Sequence, residues 1–392
     1  MSQPTDYQIE LERTAKDICE LKGRVRAQPG DPEPVTKLAY RLYHRASLTA
    51  SFPDYQAAEA AIDADIQHFG PKEDLCLLKA TVDSHFHRVS AARRDLGMAP
   101  ALCTRPEGRA MLADLDLQEG RYENVRTSYE SLIRENRTWD NLARLAHFKG
   151  KMGDVEEADR LYVEAEDELT AKEMRSYAWV ELQRGVLRLA RGRHEEALAH
   201  YARAEAAYTG HWLTDEHVAE GLAAQERFDE AVKLYESVIE RAPKPELKQT
   251  LGELLVFIGR QDRAESWFEQ ALAGYLESAE RGDVHYYHHL TDFYADIREN
   301  GPEAVKWARL DLELRENHAT LAALAWALFR DGQLDAAQDA MNRALSSGVC
   351  DSTLFSQAAI IERETGRISD SVRHLQMAEE VNPHFRGFHV HR

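Results

Sequence analysis

A small residue recurs along the chain at Ala57, Ala91, Val125, Ala158, Ala197, Ala231, Ala264, Ala304, Ala337 and Ser371, at intervals of 34, 34, 33, 39, 34, 33, 40, 33 and 34 residues. Four residues after this register stand Tyr129, Tyr162, Tyr201, Tyr235 and Phe268. Seven after it stand Ala64, Leu132, Ala165, Ala204, Val238, Ala271, Ala344 and Ala378, with charged residues in the steps between. Offsets of 0, 4 and 7 share one helical face, so each window predicts an amphipathic helix whose small residues let a neighbour approach while one ring fills the gap. Glycine or a substitute stands five residues before the register, as in GRHEEALAHYARA from Gly192 and ERFDEAVKLYESVI from Glu226. Such a residue ends one helix in a left-handed conformation, and the acidic residues after it suit the start of the next. Twelve residues before the register a second small position recurs at Ala113, Ala146, Gly185, Ala219, Gly252, Ala325 and Ala359. A helix-turn-helix period near 34 predicts an all-α solenoid, each pair of helices burying its apolar face against the next.

The pattern resembles the tetratricopeptide repeat (TPR) family, whose 34-residue unit carries small residues at positions 8, 20 and 27, an aromatic at 24 and often a proline at 32. That proline appears here as Pro243 and Pro383. The resemblance covers roughly residues 37–383 in eight to ten repeats. It is strongest from Val125 to Ser371 and decays before Val125, where Ala57 lacks the aromatic four residues on. It implies a right-handed superhelix of antiparallel helix pairs.

Three parts are expected. Residues 1–36 hold a capping helix, starting near Asp6 with Leu11, Ile18, Leu21 and Val25 on one face, and a linker rich in proline at Pro29, Pro32 and Pro34. The repeat array spans 37–383. A short tail, HFRGFHVHR over 384–392, reads as disordered. The long intervals after Ala158 and Ala264 contain no proline, which predicts additional turns of helix projecting beyond the stack.

The resemblance also implies which residues face the concave wall, since family positions 2, 5, 6, 9, 12 and 13 turn inward. By register these include Asp114, Asp140, Arg144, His147, Trp179, Gln183, Glu216, His217, Glu220, Gln249, Glu253, Tyr286, His289, Phe293, Trp326, Phe329 and Arg330. The wall is acidic at Glu216, Glu220 and Glu253 and aromatic at Tyr286, Phe293, Trp326 and Phe329. A peptide or protein partner with basic and apolar side chains is its complement. The lysine and asparagine pair with which some family members clamp a chaperone's terminal carboxylate is missing: the corresponding positions read Ala110 and Asp114, Ala143 and His147, or Glu216 and Glu220.

Composition narrows the function further. Lys and Arg number 49 against 68 Asp and Glu, a formal net charge of −19, which repels nucleic acid and anionic lipid. No apolar run or basic leader suggests a membrane span or signal peptide, and the cytoplasm is the expected location. Cys19, Cys76, Cys103 and Cys350 form no CxxC pair and are expected as reduced thiols. Among 17 histidines the densest run is GDVHYYHHLTD, where His285 and His289 are one helical turn apart with Asp292 following; these three are the candidate metal ligands, lacking an HExxH pattern or a further ligand in sequence. His85, His87, His389 and His391 suggest no more than incidental affinity. No phosphate-binding loop, dinucleotide fingerprint or nucleophile elbow occurs, so no catalytic residue or cofactor is expected. The leading expectation is a non-enzymatic scaffold or adaptor with a peptide-binding groove. A peptide-responsive regulatory sensor and a metal-binding accessory subunit of an enzyme are the alternatives.

Overall fold

A computed structural model describes residues 3–28 and 30–388, and every regular element among them is helical. Twenty-one α-helices follow in order: α1 Asp6–Ala27, α2 Pro32–Thr49, α3 Phe52–Phe69, α4 Glu73–His85, α5 Val89–Gly97, α6 Pro106–Gln118, α7 Tyr122–Glu135, α8 Trp139–Lys151, α9 Val155–Asp167, α10 Met174–Leu189, α11 His194–Ala207, α12 Trp212–Ala224, α13 Phe228–Arg241, α14 Pro245–Phe257, α15 Gln261–Glu280, α16 Tyr287–Asp292, α17 Gly301–Leu314, α18 His318–Arg330, α19 Leu334–Leu345, α20 Ser352–Glu364 and α21 Ile368–Val381. Consecutive helices pack as antiparallel pairs, the architecture of a TPR-like α-solenoid. The chain divides into two compact units, Met1–Asp116 with Tyr208–His211, and Leu117–Ala207 with Trp212–Arg392.

In the first unit the periodic register is real but displaced by one residue. Ala58 and Ala92 are fully buried, whereas Ala57 and Ala91 are only partly covered. Counted from Ala58 and Ala92, the large residues four on are Ile62 and Leu96, both fully buried. Aliphatic chains therefore replace the ring, which is why the aromatic signal fades there. Pro32 and Pro34 lie in the first turn of α2 behind the Asp31 cap, where a missing N–H is harmless, so residues 32–36, expected as linker, are helical.

From Val125 onward the register residues Val125, Ala158, Ala197, Ala231, Ala264, Ala304 and Ala337 are at most 1% exposed, and Tyr129, Tyr162, Tyr201, Tyr235 and Phe268 fill the gaps beside them. The turn residues take the left-handed conformation the pattern requires, including Glu226 at φ 60°. The two long intervals differ. α15 does run on to 20 residues. α9 instead stops at Asp167: acidic residues crowd its C-terminal end with no basic one in the last turn, and Glu173 accepts from the Thr170 amide and hydroxyl at 3.0 and 2.9 Å. The extra residues there form a loop, and α10 starts only at Met174.

A five-residue π turn over Phe293–Ile297 follows the short α16. Arg330 holds it from α18, donating through Nε to the Ala295 carbonyl at 2.8 Å. Within the second unit the stack also comes round to meet itself. The Asn317 side chain donates to the Gln118 carbonyl at 2.7 Å, the Cys350 amide to the Lys151 carbonyl at 2.9 Å, and the ring of His384 lies 4.9 Å from that of His194.

Candidate functional site

The second unit contains a cavity of about 880 Å³, and its wall comes mainly from the first helices of five successive pairs: α12, α14, α16, α18 and α20. α14 contributes Glu246, Gln249, Glu253 and Phe257, while Glu216 comes from α12, His289 and Asp292 from α16, and Trp326 from α18. The π turn adds Asp296 and Ile297. Thr353, Gln357, Ile360 and Arg363 of α20 close one side with Leu375 of α21, and Phe385, Arg386 and Gly387 border the space from beyond α21. Five carboxylates thus face two guanidinium groups.

These carboxylates are held in different ways. Glu246 pairs with Lys244 at 2.6 Å and accepts from the Tyr286 hydroxyl at 3.0 Å. Burial opposes its ionisation, but Lys244 and His289 outweigh that and hold its pKa below the ordinary glutamate value. Glu253 accepts from the Gln249 amide at 2.9 Å, and Gln249 in turn accepts from the buried Tyr275 hydroxyl at 2.8 Å. Asp296 accepts from the Trp326 indole, 3.0 Å from both carboxylate oxygens. Glu216 and Asp292 make no hydrogen bond or ion pair among the described residues. Burial, opposed by Lys244 and reinforced by Glu246, pushes Glu216 up to about 7. Burial, then the neighbouring Asp296, Glu253 and Asp311, pushes Asp292 well above the usual aspartate range. With no hydrogen bond or ion pair to offset removal from bulk water, both carboxyls favour their neutral form.

Glu216, Gln249, Glu253, His289, Asp292 and Trp326 are therefore brought together. The remaining residues expected on the wall are elsewhere. Phe293 is fully buried, its ring packed edge-on to Phe268 and Tyr275, and belongs to the core. The cause is the π turn: one additional residue before Ala304 shifts the upstream register, so Thr291, 1% exposed, takes the close-packed position and Asp292 the inward one. Tyr286 is consumed by Glu246 and Arg330 by Ala295 and Glu299, where both serve as braces. Arg144 pairs with Asp140 at 2.6 Å, and the His217 ring packs against Tyr201. His147, Gln183 and Glu220 are in the second unit but do not border the cavity, and Asp114 belongs to the first unit.

The candidate metal ligands do not converge. The His285 ring lies against Tyr286 and the His289 ring stacks on Tyr275 at 5.3 Å. Among the described residues no group of three or more His, Cys, Asp or Glu side chains is arranged to share a metal ion. His389 and His391 lie outside the described residues.

Some cavity residues were accessible to the register but not singled out. Glu246 occupies the second position of its repeat, and Thr353, Gln357, Ile360 and Arg363 continue the same inward positions one pair beyond Arg330. Asp296 and Ile297 fill the twelfth and thirteenth positions of the unit counted back from Ala304, inward by the same register, whereas the segment around Arg386 had no periodic signal. That last segment is ordered as far as Phe388, which is 3% exposed, contrary to the expected disorder of the tail. No helix of the described residues is long and apolar enough to cross a membrane.

No protein-family profile matches the chain, and no curated protein is recognisably similar in sequence. Among solved structures, human IFIT1, a dimer with PPP-AAAA, is similar with a TM-score of 0.48 at 14% identity, covering 92% of this chain and 94% of that one. The APC/C hetero-tetramer Cut9–Hcn1 aligns with a TM-score of 0.43 at 15% identity over 93% of this chain and 78% of the other. Yeast Tom70 aligns with a TM-score of 0.44 at 13% identity over 95% and 90%.

Proposed function

We propose that this chain is a non-catalytic interaction scaffold, and that the cavity of its second unit receives a peptide segment of a protein partner carrying basic and apolar side chains. The observation that supports this reading is the pair of half-buried carboxylates that make no hydrogen bond or ion pair among the described residues, Glu216 and Asp292, on a wall that also presents Phe257, Ile297, Trp326 and Leu375. A cationic side chain supplies the missing partner while the apolar surfaces bind its neighbours, the combination by which grooves select extended or helical segments. The net charge of −19 favours such a ligand over any polyanion.

Fluorescence anisotropy with two labelled hexapeptides of equal length tests the reading. An acetylated Lys-Leu-Arg-Phe-Lys-Leu peptide is expected to bind at least about tenfold more tightly than its Glu-Leu-Glu-Phe-Glu-Leu counterpart, equivalent to about 1.4 kcal/mol. Combining Glu216→Gln with Asp292→Asn should shrink that preference. Equal affinities for the two peptides in the unaltered protein would overturn it.

A further inference from the structure

Between α21 and Phe388 the chain stays on the fold. Asn382, 7% exposed, turns it: the Asn382 side chain accepts from the His384 amide at 2.9 Å, its carbonyl from the Phe385 amide at 3.1 Å, and the His384 carbonyl from the Gly387 amide at 2.8 Å. The turn rests on the loop between α10 and α11. There Asn382 and His384 approach Gly192 so closely that a Cβ on that glycine would lie 2.6 Å from Asn382 Oδ1. From this anchor the segment crosses to the end of α14, where the Phe388 ring, 3% exposed, packs 5.7 Å from Phe257, itself 5.9 Å from Phe228. Between the two anchors Phe385, Arg386 and Gly387 border the acidic cavity. The Arg386 guanidinium sits over the Phe385 ring at 4.8 Å.

The segment carries the chemistry that the cavity selects. Arg386 is one of the two guanidinium groups that border the cavity together with the five carboxylates, and Phe388 already packs against one side of Phe257, an aromatic surface that stays 41% exposed to a partner. We infer that residues 384–388 are a built-in occupant of the cavity mouth, which an incoming aromatic and basic peptide must displace in order to bind. This inference rests on the proposed peptide-binding role of the cavity. A tethered segment competes at an effective concentration near millimolar, so even weak contacts hold back a free ligand. Occupancy by the segment reduces the apparent affinity for a partner in proportion to the fraction of molecules in which it is docked.

The test uses the full chain, the full chain carrying Arg386→Glu together with Phe388→Ala, and a chain ending at Pro383, each checked by circular dichroism for unchanged helicity. The probe is a labelled, acetylated Pro-His-Phe-Arg-Gly-Phe peptide corresponding to 383–388, followed by anisotropy. The peptide is expected to bind the double variant and the shortened chain at least tenfold more tightly than the unaltered chain. The Lys-Leu-Arg-Phe-Lys-Leu peptide should gain affinity in the same order. Equal affinity of the probe for all three proteins, or no binding to any, overturns the inference. If the cationic peptide binds all three equally and still outcompetes its acidic counterpart, the cavity keeps its proposed function and only the occluding segment is refuted. If neither sign of peptide binds even the shortened chain, the functional reading fails as well.

Discussion

The side-chain amide of Asn317 donates to the main-chain carbonyl of Gln118 at 2.7 Å, joining residues 199 apart in sequence. The same side chain caps α18 through Oδ1, accepting from the amides of Ala319 and Thr320. At this meeting point Gly120, with φ 70°, leaves no room for a side chain: a Cβ would stand 2.8 Å from the Glu316 carbonyl oxygen. Gly332 has nearly the same backbone, φ 76°, with nothing within 4 Å of its would-be Cβ. Gly332→Ala should therefore cost only the left-handed penalty of about 1–2 kcal/mol. Gly120→Ala should cost at least about 1 kcal/mol more, because it also forces the contact apart. Urea denaturation of the two variants separates these costs, and equal losses would mean that the closure of the stack contributes nothing to stability.

The small position of the first helix is set by the ring it faces. A Cβ on Gly252 would stand 2.5 Å from the Phe268 ring, whereas Ala219 coexists with Tyr235 in the preceding pair. Gly252→Ala is expected to destabilise by about 1–3 kcal/mol through overpacking. Adding Phe268→Leu should recover part of that loss. A double variant less stable than the sum of its singles would contradict the proposed contact.

Asp95 in the first unit provides a pH dependence of known sign. It is 7% exposed and lies beside Asp83, which already pairs with Arg88 at 2.5 Å. Burial first, and then Asp83, push it up to about 7. A carboxyl whose folded pKa is raised binds more protons folded than unfolded, so its contribution to stability is lost progressively as pH rises from its ordinary value near 4 through about 7. Thermal melts between pH 5 and 8 should show declining stability at the higher pH, and Asp95→Asn should flatten that trend. A slope unchanged by the substitution would assign the dependence to other groups.

Asp292 and Phe293 are adjacent and should behave oppositely. Phe293→Ala opens a void in the core and is expected to cost about 3–5 kcal/mol. Asp292→Asn removes a charge that burial disfavours and should leave stability at pH 8 unchanged or improved while weakening the cationic hexapeptide. Paired denaturation and anisotropy measurements read both effects. A large loss of stability in Asp292→Asn would show the carboxylate to be a structural partner and not a free wall group.

For cation binding the sign follows from the same carboxyls. Because Glu216 is pushed up to about 7 and Asp292 is raised, a cationic ligand must displace protons at low pH. Affinity for the Lys-Leu-Arg-Phe-Lys-Leu peptide should rise between pH 5 and 8, with proton release detectable by calorimetry in two buffers of different ionisation enthalpy. A pH-independent affinity would mean that neither group responds to the ligand.

The legible part of the molecule was the part that repeats. Ala158, Ala197, Ala231 and Ala264 are buried where the period places them, because a solenoid imposes the same environment once per unit and the sequence must answer it each time. Glu216, Gln249, Glu253 and Trp326 reached the cavity wall by the same logic. The register also extends to Glu246 and to Thr353 and Gln357. It slipped at Ala57 and Ala91, since an alanine beside an alanine carries no phase of its own and only Ile62 and Leu96 reveal which of them is inside.

Three features were beyond periodic reasoning. The π turn after Asp292 is a single additional residue in a 40-residue interval, and it exchanges the fates of Asp292 and Phe293 without leaving a compositional mark. The end of α9 at Asp167 depends on the balance of capping and terminal charge, not on a helix breaker. The order of 384–388 depends on Gly192, Phe228 and Phe257, none of them near it in sequence.

The sequence by itself determined the helices, their pairing, the small and aromatic residues that set the spacing between them, and the acidic character of the inner positions, because each of these is a local demand renewed about every 34 residues. Tertiary structure decided where the stack meets itself, which carboxylates lack a hydrogen-bond or ion-pair partner, and that Arg386 and Phe388 come to rest at the cavity. Those outcomes depend on small rotations accumulated over many units and on contacts between residues as far apart as Gln118 and Asn317, which no local pattern encodes.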